Sequence, residues 1–326
     1  MLRYLGTRFI RLLTVVVAVT IFTFFLINLL PGSPINTILG PAAGDPAARA
    51  QLTAQLGLNH PIYVRYFFWL WHALHGNLGQ SAISDENVTS AISSSLPITV
   101  ELIIMAEIMS LAVSIPVAIA CAMRPDGWLD KFVSASSLAL LALPAFMLGE
   151  LLLYIFTVKV HAFPSSGITP WFTLTGGINP AIVATPGSIF LPALTLAAGQ
   201  FALFSRVLRG DLVTTLKSEF ILMARSKGFS RWRILIRHAL RPSSIPLASL
   251  VGLSVGGLLA GAVIVENIYG LPGIGTLLVT SIYKRDYLMV QGVVVLIAVG
   301  FVTVNFLTDA FYTVLDPRIR RARLIG

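Results

Sequence analysis

Cysteine is nearly absent from this 326-residue chain: Cys121 is the only one. That excludes an intramolecular disulfide and a cysteine-rich metal site. Charge is also scarce, at 11% Asp, Glu, Lys and Arg, against roughly 25% in an average soluble domain. Acids are the scarcer sign, 14 against 23 bases. His-Glu-x-x-His does not occur, and the one Gly-x-Ser-x-Gly match, Gly252-Leu-Ser-Val-Gly256, lies inside a long apolar run and not at the strand-to-helix turn that a hydrolase nucleophile needs. Gly270-Leu-Pro-Gly-Ile-Gly275 begins like a phosphate-binding loop, but Thr276-Leu277 stands where Lys-Ser/Thr is required. The chain therefore shows no nucleotide-binding loop of its own. His72 and His75 share a helix face with no acid or cysteine beside them, which is thin support for a metal.

Apolar residues dominate instead, at 56%. A span needs about 20 of them to cross the hydrocarbon core. Six runs qualify: 9–30, 98–122, 133–158, 189–209, 244–266 and 287–312. The fourth is interrupted by Pro192, Gln200 and Ser205, so it needs neighbouring helices around it. An even count puts both termini on one side. With that side cytoplasmic, the inner segments hold eighteen Lys and Arg and the outer segments five. The positive-inside rule selects this orientation. The first run is longer than a signal-peptide core and lacks a clean cleavage site, so it reads as an uncleaved span. The expectation is one transmembrane domain over 1–326, a multi-pass protein of the cell membrane. The net charge of +9 does not indicate nucleic acid, because the basic residues border apolar runs and form no basic domain.

The outer loop 31–96 is long. Asp45-Pro46 is a good start for a short helix reaching Leu56. Pro61 to Leu74 is aromatic, with Tyr63, Tyr66, Trp69 and Trp71 among its rings. Either an interfacial helix or a contact surface for an external partner fits that composition. Within the spans, carboxylates are few, and intramembrane carboxylates mark functional sites by default. Glu107 and Glu150 are deepest and are the pathway candidates, while Glu101 lies near an outer end where solvated snorkelling suffices. Such groups would also serve an ion-coupled carrier. Hydropathy shows no inverted repeat, however, which weighs against the common carrier folds. Gly252-xxx-Gly256 and Gly257-xxx-Gly261 predict a close helix partner, in this chain or another.

The most basic stretch is the loop 206–241, with nine Lys/Arg and two acids. Inside it, Glu219-Phe-Ile-Leu-Met-Ala-Arg-Ser-Lys-Gly228 reads as a short helix. Phe220, Met223 and Ala224 share a face by spacing. Glu219 suits the helix N-terminus and Arg225 the C-terminus, and Gly228 suits a left-handed stop. Such a helix either docks a soluble partner or lies on the lipid surface.

This segment, continuing through His238-Ala-Leu-Arg-Pro-Ser-Ser-Ile-Pro246, resembles the coupling motif of binding-protein-dependent ABC importer permeases. Further stretches are similar to the B-type permease subunit of the dipeptide/oligopeptide (nickel) importers. They are Arg3-Tyr-Leu-Gly-Thr-Arg8, Leu56 to Tyr66, Gly76-Asn-Leu-Gly-Gln-Ser81, Val265 to Gly275, Arg285-Asp-Tyr287 with Gln291-Gly292, and Leu315-Asp-Pro-Arg-Ile-Arg320. They cover nearly the whole chain in the family's order. Ser226 departs from the usual Ala-Arg-Ala-Lys-Gly ending, and Phe163-Pro-Ser-Ser-Gly167 replaces a Leu-Pro-x-x-Gly segment.

The resemblance implies an all-α permease of the type I importer kind with six transmembrane helices. It implies that Glu219, Phe220, Met223, Ala224, Arg225 and Gly228 couple to a cytoplasmic ATPase, with Ala224 and Gly228 at the tightest approach. It implies a C-type permease partner, one or two ABC ATPase subunits, and an external substrate-binding protein facing the Tyr63–Trp71 stretch. ATP and Mg would be bound in the ATPase subunits and no cofactor in this chain. Di- or oligopeptides are the expected cargo, with nickel and glutathione importers sharing the pattern.

Overall fold

Inside lipid the backbone has no hydrogen-bond partner but itself, so apolar runs with few breakers must become helices. The computed structural model describes residues 2–29, 39, 44–55, 59–81, 83–163, 172–173, 177–178 and 187–315. The helices are α1 (Leu2–Leu29), α2 (Pro46–Gln55), α3 (Ile62–Leu74), α4 (Val88–Met123), α5 (Trp128–Ala142) and α6 (Ala145–Leu153). They continue with α7 (Gly187–Leu216), α8 (Glu219–Ser226), α9 (Leu240–Tyr269), α10 (Ile274–Lys284) and α11 (Tyr287–Leu315). A two-residue antiparallel pairing joins Phe172–Thr173 to Gly177–Ile178.

Among the described residues, four helical runs are long and apolar enough to cross a membrane: Val88–Met123, Ser188–Leu216, Arg231–Tyr269 and Tyr287–Thr308. The expected third span, 133–158, is not one straight helix. Its two halves, α5 and α6, meet at a bend of 102°. Pro144 is the cause: it forces Leu143 out of the helical region, to ψ 122°. Beyond α6 the helix widens into a π-helical turn, Tyr154–Lys159. The first helix, α1, runs 28 residues, and its described apolar stretch is Leu12–Phe25. Among the described residues there are thus four long spans, one bent pair of span length and the apolar stretch of α1.

Two of these runs are longer than the hydrocarbon core requires. The run Arg231–Tyr269 has 39 residues, about 58 Å at the usual helical rise. It starts at Arg231–Arg233, passes through a π-helical turn Ile234–Ala239, and continues as α9. With α7 reaching Leu216, most of the loop 206–241 is helical overhang. Only about a dozen residues around α8 lie between the two long helices. The weak fourth run behaves as its polar breaks require: α7 is the most enclosed of the long spans, 56% buried over its apolar window.

The chain divides into two compact units. One holds Met1–Thr99, Pro170–Asn179 and Pro272–Thr303, with a core of Val88, Ala91, Ile92, Ile274, Met289 and Val293. The other holds Val100–Thr169, Pro180–Leu271 and Val304–Gly326, and its core includes Phe204, Leu208, Leu212, Ile221, Ile234 and Leu247. Gly270 closes α9 with φ +62° and lets the Leu271 N–H reach the Glu266 carbonyl at 2.8 Å. The loop that resembled a phosphate-binding turn is therefore a helix stop, followed directly by α10.

Two of the four paired glycines of α9 make close contacts inside this chain. Gly252 leaves its space to Thr308 of α11, whose hydroxyl donates to the Gly252 carbonyl at 3.2 Å. Gly261 faces Leu196 of α7, and Gly257 faces open space. In the outer loop, Asp45 caps α2 by accepting the Ala47 N–H at 2.9 Å, as the sequence predicts. Pro31 to Ile35, Leu56 to Leu58, Pro164 to Gly167 and Asp316 to Arg320 lie outside the described residues.

Candidate functional site

The basic loop is held as a folded unit. Ser218 adopts an extended backbone (φ −71°, ψ 155°) that starts α8, and its carbonyl accepts from Ile221 and Leu222. Glu219 lies in the first turn and Arg225 in the last, where their charges favour the helix. Lys227 N–H closes onto Met223 O at 3.1 Å, and Gly228 follows at φ +77°. Phe229 then stacks on His238 at 5.6 Å. At the other end of the loop, Ser243 Oγ donates to Thr215 Oγ1 at 2.9 Å, tying the feet of α7 and α9 together.

The expected apolar face of α8 is split. Phe220 and Met223 are exposed, at 50% and 62%, and Leu222 is exposed beside them. Ala224 is buried and packs, with Ile221, into the core that includes Ala118 and Ala122 of α4, Leu208 and Leu212 of α7, and Leu247 of α9. The reason is rotational: at 100° per residue, Ala224 lies midway between Phe220 and Ile221, and Ile221 draws that side inward. Ala224 therefore does not meet an outside surface. Gly228 remains exposed with nothing within 4 Å of a built side chain. Between α8 and the ends of α4 and α7 lies an open groove of about 670 Å³, walled by Leu222, Phe229 and Ile234 and edged by Lys217, Arg225 and Arg231.

The aromatic stretch of α3 is split too. Tyr66 is buried, its hydroxyl 3.0 Å from Thr20 Oγ1 and its ring edge-on to Phe24 of α1 at 5.4 Å. Trp69 also turns toward Phe24, at 6.1 Å. Tyr63, Phe67 and Trp71, spaced by four residues, form the outward face. Of the four predicted contact residues, Tyr63 and Trp71 are available and Tyr66 and Trp69 hold α3 to α1. His72 and His75 each place Nδ1 at 2.7 Å from a carbonyl of their own helix.

Glu107 and Glu150 are not brought together. Glu107 accepts from Ser254 Oγ of α9 at 3.2 Å through Oε1, while its buried Oε2 has no partner among the described residues. Glu150 is exposed on α6. Glu101 is buried rather than snorkelling.

Two polar constellations escape a reading of the sequence. Arg209 of α7 grips Asp130 of α5 with both guanidinium edges, Nε to Oδ1 at 2.7 Å and Nη2 to Oδ2 at 2.5 Å. Ser81 Oγ donates to the carboxylate of buried Asp286 and accepts from the N–H groups of Ile83 and Ser84. Ser81 and Asp286 each sit in a stretch that the resemblance singles out. Their contact spans 205 residues, and nothing in local spacing reveals it.

Residues 114–321 match the family described as binding-protein-dependent transport system inner membrane component. Residues 1–103 match the N-terminal domain of the same kind of component. Among curated relatives, a probable peptide ABC transporter permease protein of Sinorhizobium fredii is 32% identical, over 97% of this chain and 99% of the relative. A putative peptide permease protein of Brucella suis is 34% identical over 98% and 99%. The dipeptide transport system permease protein DppB of Escherichia coli is 32% identical over 99% and 100%. The chain belongs to the binding-protein-dependent transport system inner membrane component family, and is an all-α, multi-pass membrane permease that works with other transporter subunits.

Proposed function

We propose that this chain forms half of the translocation pathway of an ATP-driven importer for di- or oligopeptides, and that α8 is its coupling helix. The observation that carries the coupling assignment is the two-sidedness of α8. Ile221 and Ala224 anchor it in the core that holds α4, α7 and α9, while Phe220, Leu222 and Met223 stand out from it. A helix that only lay on lipid would not need to be keyed into the ends of three other helices. The peptide cargo is supported by relatives that match along nearly their full length and are named for peptides or dipeptides.

The other half of the pathway would be a C-type permease. One or two ATPase subunits would bind ATP and Mg and receive α8 in a groove. A binding protein would deliver substrate from outside, where Tyr63 and Trp71 face outward on α3. Both termini and the basic loop would lie in the cytoplasm. Glu219, Arg225 and Gly228 would edge the coupling contact.

Single substitutions Phe220→Ser and Met223→Ser test the assignment. Both sites are exposed, so the change in stability should stay within about 0.5 kcal/mol. Peptide uptake and co-purification of the ATPase should fall sharply. Normal uptake in both variants, with the protein present in the membrane, would sink the coupling reading. Ala224 is a poor test site, because a bulky acid there would break the core first.

A further inference from the structure

A smaller cavity, largely apolar in its walls but carrying a cluster of polar groups, lies among α4, α5 and α7. Its volume is about 200 Å³, room for several waters at roughly 30 Å³ each, or for one phosphate-sized group with water. Asp130, Ser137, Ser205, Arg206 and Arg209 line it.

The acid in this set is already neutralised. Asp130 takes Arg209 on both oxygens and the Asp126 N–H at 2.9 Å on one of them. Arg206 has no carboxylate partner among the described residues, and it is exposed at the cavity. Ser137 is 3% exposed, and its hydroxyl has no hydrogen-bond partner among the described residues. A buried hydroxyl left unmatched is costly, so this one points to a guest with acceptor atoms. A spare guanidinium, the outer edge of a second and an orphan hydroxyl together suit an anion with several oxygens. Phosphate is the usual partner of such a set.

The location favours a lipid source. Asp130 lies in the first turn of α5 and Arg206 near the end of the predicted span 189–209, so the cavity sits at headgroup depth. Val133 and Leu138 continue its wall, and Leu138 is exposed on the span, where an acyl chain would lie. Basic pockets between membrane helices commonly take anionic headgroups. We infer that this cavity is a phosphate site, filled by the headgroup of an anionic phospholipid wedged between α5 and α7. Free phosphate shares the chemistry, and the test separates the two.

The full chain, in the assembly in which it leaves the membrane, is placed in phosphatidylcholine nanodiscs doped with phosphatidylglycerol. Lipid retained by the protein is read by native mass spectrometry. Wild type should hold phosphatidylglycerol, Arg206→Gln about tenfold less, and Ser137→Ala detectably less. Arg124→Gln, the same charge change at another exposed position, should behave as wild type. If added inorganic phosphate leaves the lipid in place, the site belongs to lipid. If it displaces the lipid, the site stands and free phosphate becomes its competitor. No retained phosphatidylglycerol and no phosphate binding in wild type would overturn the proposal. Equal retention in wild type, Arg206→Gln and Ser137→Ala would overturn it too.

Discussion

Ser81 donates its hydroxyl to the carboxylate of Asp286, joining the segment before α4 to the start of α11. The same carboxylate accepts the Met289 N–H at 3.3 Å, so one acid caps a helix and fastens a loop. Both residues are buried, at 1% and 6% exposure. Ser81→Ala removes this donor and leaves the Ile83 and Ser84 amides without their acceptor. We expect about 2 kcal/mol of destabilisation and a smaller loss for Asp286→Asn, whose amide oxygen still accepts. Thermal unfolding in detergent measures both, and a Ser81→Ala protein as stable as wild type would contradict this account.

The Arg209–Asp130 pair should behave as a unit. Asp130→Asn weakens a two-point grip on Arg209, and a loss of about 2 kcal/mol is expected for a charge-assisted pair that is only partly sheltered. Arg209→Gln should cost a similar amount. The double variant should cost less than the sum, and a double-mutant cycle reads this directly. Strict additivity would show that the two groups do not act together.

Two glycines five residues apart in α9 should respond with opposite sign. At Gly252 a methyl group meets Thr308, and overpacking of this kind costs about 1–3 kcal/mol. At Gly257 nothing lies within 4 Å, so Gly257→Ala should be neutral or stabilising by up to about 1 kcal/mol. The measurement is the melting temperature of each purified variant. Equal shifts would mean that the α9–α11 contact is not tight.

On α3, stability and function should separate by face. Tyr66→Phe loses the hydroxyl contact with Thr20 and should cost about 1 kcal/mol. Tyr63→Ala and Trp71→Ala alter exposed rings, so they should leave the melting temperature unchanged and, if the proposed contact with a binding protein holds, lower uptake. Uptake at the wild-type level in both would remove this face from the delivery site.

Most of the helices were legible because lipid punishes an open backbone, so long apolar runs admit one solution. The start of α2 was legible from Asp45-Pro46 and the end of α8 from Gly228, since capping is local chemistry. The break at Leu143-Pro144 was missed because hydropathy continues smoothly through it, and only the backbone of the residue before proline registers the bend. Rotation about a helix axis was the other blind spot. Spacing put Phe220, Met223 and Ala224 on one arc, and composition alone grouped Tyr66 and Trp69 with Tyr63 and Trp71. Which edge of each arc turns inward depended on Ile221 and on Phe24, which sit on neighbouring positions or on another helix. The Ser81–Asp286 and Arg209–Asp130 contacts were invisible because each joins residues far apart in the chain.

The burial of Ile221 and Ala224 has a mechanical side. A densely packed interior barely compresses and passes displacement on. Ile221 and Ala224 share their packing with Ala118 and Ala122, Leu208 and Leu212, and Leu247. A load applied to Phe220 or Met223 therefore has no soft joint to dissipate in. On the proposed coupling role it would arrive at the feet of three long helices at once, with α8 as the short arm of a lever whose long arms are those helices.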